Sequence, residues 1–412
     1  MLTGRDQRAV RRDNLSVLLR LVERDGPVSR RELARLSGLT PASVSQIVGE
    51  LVARGVLAEV GSAPAGGDRG GRRRRLLDLA AGGVHAVGLH FGINEIELAI
   101  VDGRGRMIAR TSFFRRDRAP IEGLLERTAR AVEALLAERG VPRGRIVGVG
   151  MGVVGVADRV AGHGLAPFGA SNPGHQPFRL ALEARLGLPV VADDHVRAMA
   201  QAEAWLGSGR EERDLVLVWV GSTLGLATVS AGQVQEGAAV RAGQFGHVTA
   251  VPGGEPCDCG RRGCLDTVAS GRALARLARA RGWQSVVTFD QFLAAAQRDP
   301  ALAETLIEAG RHLGRAIADV VWLLDPGMVV LAGLVNRVPE PVLRAIRETV
   351  AAETRNARPV PVRLELTGLG RDLAVVGAAS LALRAFYADP AAFFHGDTFA
   401  AEASPERAAP AV

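Results

Sequence analysis

The sequence predicts an α/β protein with two parts, a small N-terminal winged helix-turn-helix and a larger body of two similar lobes. In the first 80 residues, apolar side chains recur at helical spacing and are interrupted by helix-start and turn signals. Beyond them, buried strands alternate with amphipathic helices, and two strand sets each run into a glycine-rich turn. We therefore expect a head over 1–80, a first lobe over 81–210 that also takes a helix at about 372–390, and a second lobe over 211–371.

Length and composition set the class of protein. The chain has 412 residues, 47% hydrophobic and 23% charged, which is ordinary for a globular protein and excludes a mainly disordered chain, a coiled coil or a fibre. It contains no run of about 18 apolar residues that could span a membrane. Met1 to Arg12 is polar and leads into no signal-type segment, so we expect a cytoplasmic protein. Residues 400–412 are rich in alanine and proline and predict a disordered tail.

Basic charge is concentrated in the head. Residues 1–80 hold 15 arginines and nine acidic residues, whereas residues 81–412 hold 36 arginines and 35 acidic residues. A compact basic head on a near-neutral body favours a polyanion as the partner of the head. A generic solvated surface is the alternative that charge alone leaves open.

Three helices are predicted in the head. The first carries an apolar stripe at helical spacing, made of Leu15, Leu18, Leu19 and Val22. Ser29, with Glu32 three residues later, predicts a capping box for the second helix. After a turn at Gly38, Thr40 and Pro41 provide the N-cap and first-turn signals of the third. Helix, tight glycine turn and helix are typical of a helix-turn-helix.

The third helix has the composition of a DNA-recognition helix. It is predicted to bury Val44, Ile47, Val48 and Leu51. Its opposite face carries small or hydrogen-bonding side chains, namely Ala42, Ser43, Ser45, Gln46 and Gly49. Such a face can approach the major groove closely, and its amides and hydroxyls can contact base edges. We expect Ser43, Ser45 and Gln46 to contact bases, with Thr40, Pro41 and Ala42 beside them.

A β-hairpin follows the third helix and predicts a wing. A short strand over Arg54–Val60 leads into a glycine-rich turn at Gly61–Gly71, and a second strand returns through Leu79. Arg69 and Arg72 flank Gly70 and Gly71, which lets guanidinium groups enter a narrow groove. A disordered basic linker is the alternative interpretation of this segment.

Three cysteines form the most specific motif of the body. Cys257, Cys259 and Cys264 lie within eight positions, in the run Cys-Asp-Cys-Gly-Arg-Arg-Gly-Cys-Leu-Asp. Three thiolates in a tight loop suit three corners of a zinc tetrahedron, and His247 lies ten residues upstream as a candidate fourth ligand. A closed Cys3His set would make a structural zinc site. Three free buried cysteines are the alternative.

This motif, preceded by Gly243-Gln-Phe-Gly-His247, resembles the signature of the ROK family of repressors and sugar kinases. The N-terminal winged helix resembles that of the family's transcriptional regulators, and the likeness extends over about residues 10–390. The resemblance implies a two-lobed, actin-like ATPase fold of the ribonuclease H-like class. It also implies a zinc loop beside a sugar pocket, and homodimers or homotetramers.

The phosphate-binding segments depart from the pattern of the family's kinases. The kinases carry Asp-x-Gly-Gly-Thr in the first hairpin, but this chain has His90-Phe-Gly-Ile-Asn94. In the second phosphate loop, Leu226 and Ala227 replace glycines, and the later Gly-Gly-Gly has become Ala332-Gly-Leu334. Phosphoryl transfer depends on positioning and charge stabilisation, so we expect kinase activity to be lost.

The catalytic base position is also altered. The family's Asn-Asp-x-x-Ala-x-x-x-x-Glu run resembles the segment from Asp194 to Glu203. Without a gap, His195 stands at the catalytic Asp and Asp194 at the sugar-binding Asn, whereas a one-residue shift restores Asp194 as the base. We favour the ungapped register and assign no catalytic residue, with His195 or Asp194 at the degenerate base position.

The sugar pocket implied by the resemblance is changed but polar. Asn172 matches the asparagine of the Asn-x-Pro-Gly-Trp loop with a shift of one position, and Gln244 replaces the glutamate before Gly-His. His247 is kept, and Asp266 replaces a glutamate. We expect Asn172, Asp194, His195, Gln244, His247 and Asp266 to line the ligand site.

These observations predict a DNA-binding transcriptional regulator, expected to be a repressor, that binds double-stranded operator DNA. The effector is expected to be a sugar or sugar derivative. Two other hypotheses stay open at this point, an ATP-dependent sugar kinase with a DNA-binding head and a regulator controlled by a protein partner.

Overall fold

The computed structural model describes residues 7–63, 74–92, 95–114, 121–154, 157–158, 163–164, 178–356 and 360–394. None of the helices in these ranges is long and apolar enough to cross a membrane. The predicted tail at 400–412 lies outside them.

The head contains three helices and a three-stranded antiparallel sheet. Its elements are α1 (Gln7–Asp25), β1 (Val28–Ser29), α2 (Arg30–Ser37), α3 (Pro41–Ala53), β2 (Leu57–Ala63) and β3 (Arg74–Leu79). The strand order is β1-β3-β2, so the wing is a hairpin to which a short third strand is added. The predicted tip of the wing, with Arg69 and Arg72, lies outside the described residues.

Local signals position the helices of the head. The Ser29 side chain accepts a hydrogen bond from the Glu32 backbone N–H, and Thr40 accepts one from Ser43, so both predicted N-caps are confirmed. In a full capping box the Glu32 side chain would accept a hydrogen bond from the Ser29 backbone N–H. It forms an ion pair with Arg35 instead. The predicted apolar stripes of the first and third helices are all buried: Leu15, Leu18, Leu19, Val22, Val44, Ile47, Val48 and Leu51.

The first lobe is built on a five-stranded sheet. Its elements are β4 (His85–Phe91), β5 (Glu95–Asp102), β6 (Met107–Phe114), α4 (Ile121–Arg139), β7 (Ile146–Val153), β8 (Ala157–Asp158), β9 (His163–Gly164), α5 (Phe178–Leu186), β10 (Val190–Asp194) and α6 (His195–Leu206). The sheet has the order β10-β7-β4-β5-β6, and β8 and β9 form a separate pair.

The second lobe repeats this arrangement. Its elements are β11 (Leu215–Val220), β12 (Leu224–Ser230), β13 (Gln233–Val234), α7 (Asp266–Ala269), α8 (Gly271–Ala280), α9 (Phe289–Ala296), α10 (Pro300–Leu324), β14 (Met328–Gly333), α11 (Glu340–Glu353) and β15 (Arg363–Leu366). The order β13-β12-β11-β14-β15 has two antiparallel and two parallel pairings, as in the first lobe. The prediction of two similar lobes is confirmed.

The chain then returns to the first lobe through α12 (Leu373–Ala388) and ends its described part with α13 (Pro390–Phe394). Helix α12 packs on β4, β7 and α6. Two glycines permit this close approach, because a Cβ added at Gly150 would lie 1.7 Å from the Ala378 carbonyl oxygen and one at Gly88 would lie 2.1 Å from that of Val375.

The head is fixed to the body by polar contacts around a shared apolar core. The Ser16 hydroxyl donates to the Tyr387 carbonyl oxygen at 2.7 Å, and the Arg145 guanidinium donates to the carbonyl oxygen of Arg54 at 2.7 Å. Arg104, in the β5–β6 turn, forms an ion pair with Asp78 and donates to the carbonyl oxygen of Glu23 at 3.0 Å. Residues of both parts belong to one continuous buried cluster, so the head is packed on the body rather than tethered to it.

We predict that Arg104→Ala destabilises the protein by about 1–3 kcal/mol, because the partly buried Asp78 and the carbonyl groups at the end of α1 lose the guanidinium as a hydrogen-bond donor. Urea denaturation followed by circular dichroism measures the change. The matched control is Arg106→Ala in the same turn, whose side chain is 72% exposed, and we expect it to change the free energy of unfolding by less than about 0.5 kcal/mol. Equal effects of the two substitutions would contradict the role of Arg104.

Candidate functional site

The exposed face of α3 carries the predicted DNA-contacting residues. Ala42, Ser45 and Gln46 are exposed, whereas Ser43 is half-buried. The Thr40 and Ser43 hydroxyls lie 2.9 Å apart and form the N-terminal cap together. Ser45 and Gln46 are therefore the polar side chains of this face whose hydrogen-bonding groups face solvent, and such groups are available to base edges.

The base of the wing is held by a small ion-pair network. The Glu59 carboxylate on β2 pairs with Arg30, the first residue of α2, and with Arg75 on β3. Both arginines lower the pKa of Glu59, with Arg75 making the larger contribution. The carboxylate thus links the wing to the helix-turn-helix.

The predicted metal ligands come together in the second lobe. The donor atoms of His247, Cys257, Cys259 and Cys264 all lie within 4.8 Å of one another. The Cys259 and Cys264 sulfurs are 3.6 Å apart, and the Cys257 sulfur lies 3.6 Å from His247 Nδ1. Two sulfurs bound at about 2.3 Å to a tetrahedral zinc ion lie about 3.8 Å apart, so the residues fit such an ion.

The chemistry of the thiols also fits a metal. Burial and the neighbouring thiols raise the pKa of Cys264 to about 12, so its thiolate is unfavourable without a cation. The loop itself is fixed by the main chain, because the Cys257 N–H donates to the Arg261 carbonyl oxygen and Gly263 adopts a φ of 70°. The cluster can hold a metal ion.

Part of the predicted ligand site lies beside this cluster. Asp266 is buried and accepts a 2.7 Å hydrogen bond from the Leu224 N–H, and its burial raises the pKa of its carboxyl group. Gly246 packs directly on this carboxylate, so the Gln244–His247 turn adjoins Asp266. Asn172, the sugar-loop residue of the prediction, lies outside the described residues.

Asp194 and His195 have different surroundings. Asp194 is the N-cap of α6, and its carboxylate accepts hydrogen bonds from the N–H groups of Val196 and Arg197. His195 is 6% exposed and lines a cavity of about 190 Å³ between the lobes. Its ring lies 5.6 Å from that of His90 and meets Trp219 edge-on at 6.0 Å.

The structure also contains a buried ion pair that the sequence analysis missed. Asp193 and Arg197 are 4% and 2% exposed, and the guanidinium donates to the carboxylate at 2.5 Å. Arg197 also donates to the Val240 carbonyl oxygen at 3.1 Å, which ties α6 to the loop that precedes Gln244. The spacing of four residues between an aspartate and an arginine is compatible with an ion pair, but the sequence does not show that both side chains are buried.

Glu203 is a second residue that joins the lobes. It is fully buried on α6, and its carboxylate accepts hydrogen bonds from the Ser208 N–H and from the Thr367 hydroxyl, which follows β15. In the sequence, Glu203 serves only to align the base position, whereas in the structure its carboxylate links α6 to the segment that follows β15.

The resemblance implies a second phosphate loop over residues 221–227, and the part of this segment from Leu224 onwards lies in the packed strand β12. Leu226 and Ala227 lie in β12 and are 8% and 2% exposed. In the Ala332-Gly-Leu334 segment at the end of β14, Gly333 has a φ of 89°, and Leu334 has a half-buried side chain.

The fold and these sites define a class of protein, an actin-like two-lobed domain with a Cys3His cluster that carries a winged helix at its N-terminus. Residues 86–385 match the ROK family, and residues 14–67, which include α2, α3 and the first wing strand β2, match the MarR family. The chain belongs to the ROK family.

Similar proteins include both regulators and kinases. The chain is 28% identical over 359 residues to the DNA-binding transcriptional dual regulator NagC of Escherichia coli K12, covering 84% of this chain and 87% of NagC. A ROK family transcriptional regulator described as a homologue of the E. coli Mlc protein shares the fold with a TM-score of 0.76 and 23% identity, over 92% of this chain and 97% of that one. A ROK glucokinase from Streptomyces griseus, solved with glucose and AMPPNP, has a TM-score of 0.62 and 29% identity over 73% of this chain and 99% of the kinase.

Proposed function

We propose that the chain is a DNA-binding transcriptional repressor whose ROK domain responds to a small carbohydrate or carbohydrate derivative. The observation that carries the proposal is the exposed Ser45 and Gln46 face of a capped recognition helix on a domain that is itself packed on a ROK body. The similarity to NagC supports it, because that similarity covers 84% of this chain whereas the similarity to the Streptomyces griseus kinase covers 73%.

The DNA interface that we propose combines α3 and the wing. Ser43, Ser45 and Gln46 contact base edges in the major groove, and Thr40, Pro41 and Ala42 lie beside them at the N-terminal end of the helix. Arg69 and Arg72 of the wing are proposed to contact the minor groove or the phosphates. A homodimer or homotetramer would place two heads on half-sites about one or two helical turns apart.

In this proposal the head over 1–80 binds DNA, and the two lobes bind the effector. The lobes are those proposed from the sequence, over 81–210 and 211–371, with the helix at about 372–390 assigned to the first lobe. The effector would lie between the lobes, against Asp194 and His195 on one side and Gln244, His247 and Asp266 on the other, with Asn172 in the sugar loop. In an oligomer, a ligand that closes the two lobes would change the spacing of the two heads. It can shift the population between two such arrangements only if it binds one of them more tightly than the other.

The role proposed for the metal cluster is structural zinc binding by His247, Cys257, Cys259 and Cys264. A closed set of four protein ligands leaves no open position for substrate or water. The ion would hold the loop that follows the Gln244–His247 turn, so it would also fix this side of the effector site.

An active sugar kinase is the alternative function, and the ROK glucokinases among similar proteins are the observation that favours it. Three features oppose it in this chain. Imidazole groups stand at His90 and, in the ungapped register, at His195, where the kinases have carboxylates, and the buried Leu226 and Ala227 side chains stand where the resemblance places glycines of a phosphate loop.

The DNA interface predicts that Gln46→Ala weakens binding to the preferred genomic fragment by about 1–3 kcal/mol and has a smaller effect on unrelated DNA, because a base contact is lost and phosphate contacts remain. Fluorescence anisotropy on fragments selected from genomic DNA measures both affinities at one salt concentration. Gln284→Ala, an exposed glutamine of the second lobe, is the matched control. Unchanged discrimination in Gln46→Ala would refute the role of this side chain.

The metal cluster predicts at least one zinc ion per chain in the purified protein, measured by atomic emission. Cys257→Ser should lose the ion and lower the melting temperature, since a ligand is removed from a closed site. Asp258 lies in the same loop with a side chain that is 79% exposed, so Asp258→Asn should keep the ion and the melting temperature of the wild-type chain. A metal-free wild-type chain of the same stability as Cys257→Ser would contradict the proposal.

The effector proposal predicts that at least one member of a carbohydrate library raises the melting temperature and releases DNA, whereas the same sugars with ATP and Mg²⁺ yield no ADP above background. A coupled ADP-release assay and a thermal-shift screen measure the two responses. ADP release that depends on one sugar would restore the kinase, and a full screen without any stabilising or DNA-releasing member would favour control by a protein partner.

A further inference from the structure

The cavity between the lobes contains two buried histidines that the proposed function does not use together. His90 on β4 and His195 at the start of α6 are 7% and 6% exposed. The cavity, of about 190 Å³, is also lined by Glu95, Trp219, Ser222 and Thr223. His90 pairs across the sheet with Gly152, and His195 packs on that same glycine, which explains why the two rings face one cavity.

A carboxylate fixes the tautomer of His90. The Nδ1 atom lies 3.0 Å from Glu97 Oε2, on the cross-strand neighbour, and Glu97 also accepts a hydrogen bond from Arg110 at 3.2 Å. An ionised carboxylate can only accept hydrogen bonds, so Nδ1 carries the hydrogen and Nε2 keeps a lone pair. Burial lowers the pKa of His90, which keeps the imidazole neutral.

Each ring has one buried nitrogen that lacks a hydrogen-bond partner among the residues that the structure describes. Among the described residues, no group bonds to His90 Nε2 or to His195 Nδ1. The nearest carboxylate oxygen to His195 Nδ1 belongs to Asp194, at 3.8 Å, which is beyond hydrogen-bond distance. Buried polar atoms normally have a partner, so two orphaned nitrogens on facing rings indicate that the cavity takes a ligand.

We propose that His90 and His195 bind a divalent transition-metal ion in the cleft between the lobes. Their ring centres are 5.6 Å apart, and two imidazoles on one tetrahedral ion have centres about 5 Å apart, so a small movement brings them to a single ion. A histidine that donates its second ring N–H to a carboxylate is the common form of a metal-ligating histidine, and His90 has this form with Glu97.

The surroundings favour a cation over an anion. Glu95 and Glu97 lie at the cavity and Asp194 lies next to His195, whereas Arg110 is engaged by Glu97 and Asp372. Neutral imidazoles select Zn²⁺, Co²⁺ or Ni²⁺ rather than Mg²⁺, which prefers oxygen ligands. Two protein ligands leave open positions, which water or a hydroxyl group of a bound ligand can fill. This site is separate from the Cys3His cluster and does not depend on the DNA-binding proposal.

The test uses the full chain, purified without a histidine tag and first loaded with one equivalent of Zn²⁺, and then titrated with Co²⁺ alone. We expect one further ion per chain, with a visible spectrum that lacks the thiolate charge-transfer band because its ligands are nitrogen and oxygen. An ion that enters the cysteine cluster is recognised by that band. Mg²⁺ in the same titration should not compete.

Variants identify the ligands. His90→Gln and His195→Gln should each weaken the second ion at least tenfold, and Glu97→Gln should weaken it by about 10–100-fold because it orients His90. His312→Gln is the matched control, since His312 also lies beside a glutamate, Glu308, on a distant helix. Circular dichroism and a melting curve show whether each variant is folded. If one of the two histidine variants does not fold, the other one alone tests the site.

Two results would overturn the proposal. One is a wild-type chain that takes up no second Co²⁺ ion, or takes up Mg²⁺ equally well. The other is a second ion whose affinity is unchanged in a folded His90→Gln or His195→Gln variant. A loss of DNA binding with the second ion intact would count against the proposed function and not against this site.

Discussion

Helix α12 is the element on which the arrangement of the whole molecule depends. Thirteen of its 16 residues are buried, and it packs on the central strands of the first lobe, on α6 and on α1 of the head. The small residues Gly88 and Gly150 on the strands permit this packing, since any side chain there would overlap the helix backbone. At its other end, Tyr387 accepts from the Ser16 hydroxyl and donates to the Gly103 carbonyl oxygen, so one helix end contacts both the head and the β5–β6 turn.

A second helix connects the cleft with the head. Helix α6 begins at the cavity, where Asp194 caps it and His195 faces His90, and it ends near the head at Trp205, whose ring meets Tyr387 edge-on at 5.8 Å. Glu203 and Arg197 join this helix to the second lobe through Thr367 and Val240. Helix α6 therefore lies between the second lobe and Tyr387, which accepts a hydrogen bond from Ser16 of the head, and such contiguous packing is what the proposed effect of a ligand on the head requires.

The sequence predicts the local structure well because local signals decide it. The caps at Ser29 and Thr40 and the apolar periodicity of α1 and α3 depend on neighbours within a few positions. The spacing of the cysteines from Cys257 to Cys264 likewise indicates a metal-binding loop from the sequence alone. The contacts that join distant segments are not encoded in this way. Nothing in the local sequence around Arg104 indicates that it pairs with Asp78, and the pairing of His90 with Glu97 requires the β4–β5 register. The same holds for the burial of Asp193 and Arg197, which depends on tertiary packing.

The central claim is that the head and the first lobe form one cooperative unit through α1 and α12. Native-state hydrogen exchange, followed by mass spectrometry across a series of urea concentrations, tests it most directly. The account predicts that peptides from α1 and α12 lose protection at the same urea concentration and with the same dependence on urea. Loss of protection in α1 at a clearly lower urea concentration, with α12 still protected, would show an independently unfolding head and would contradict the account.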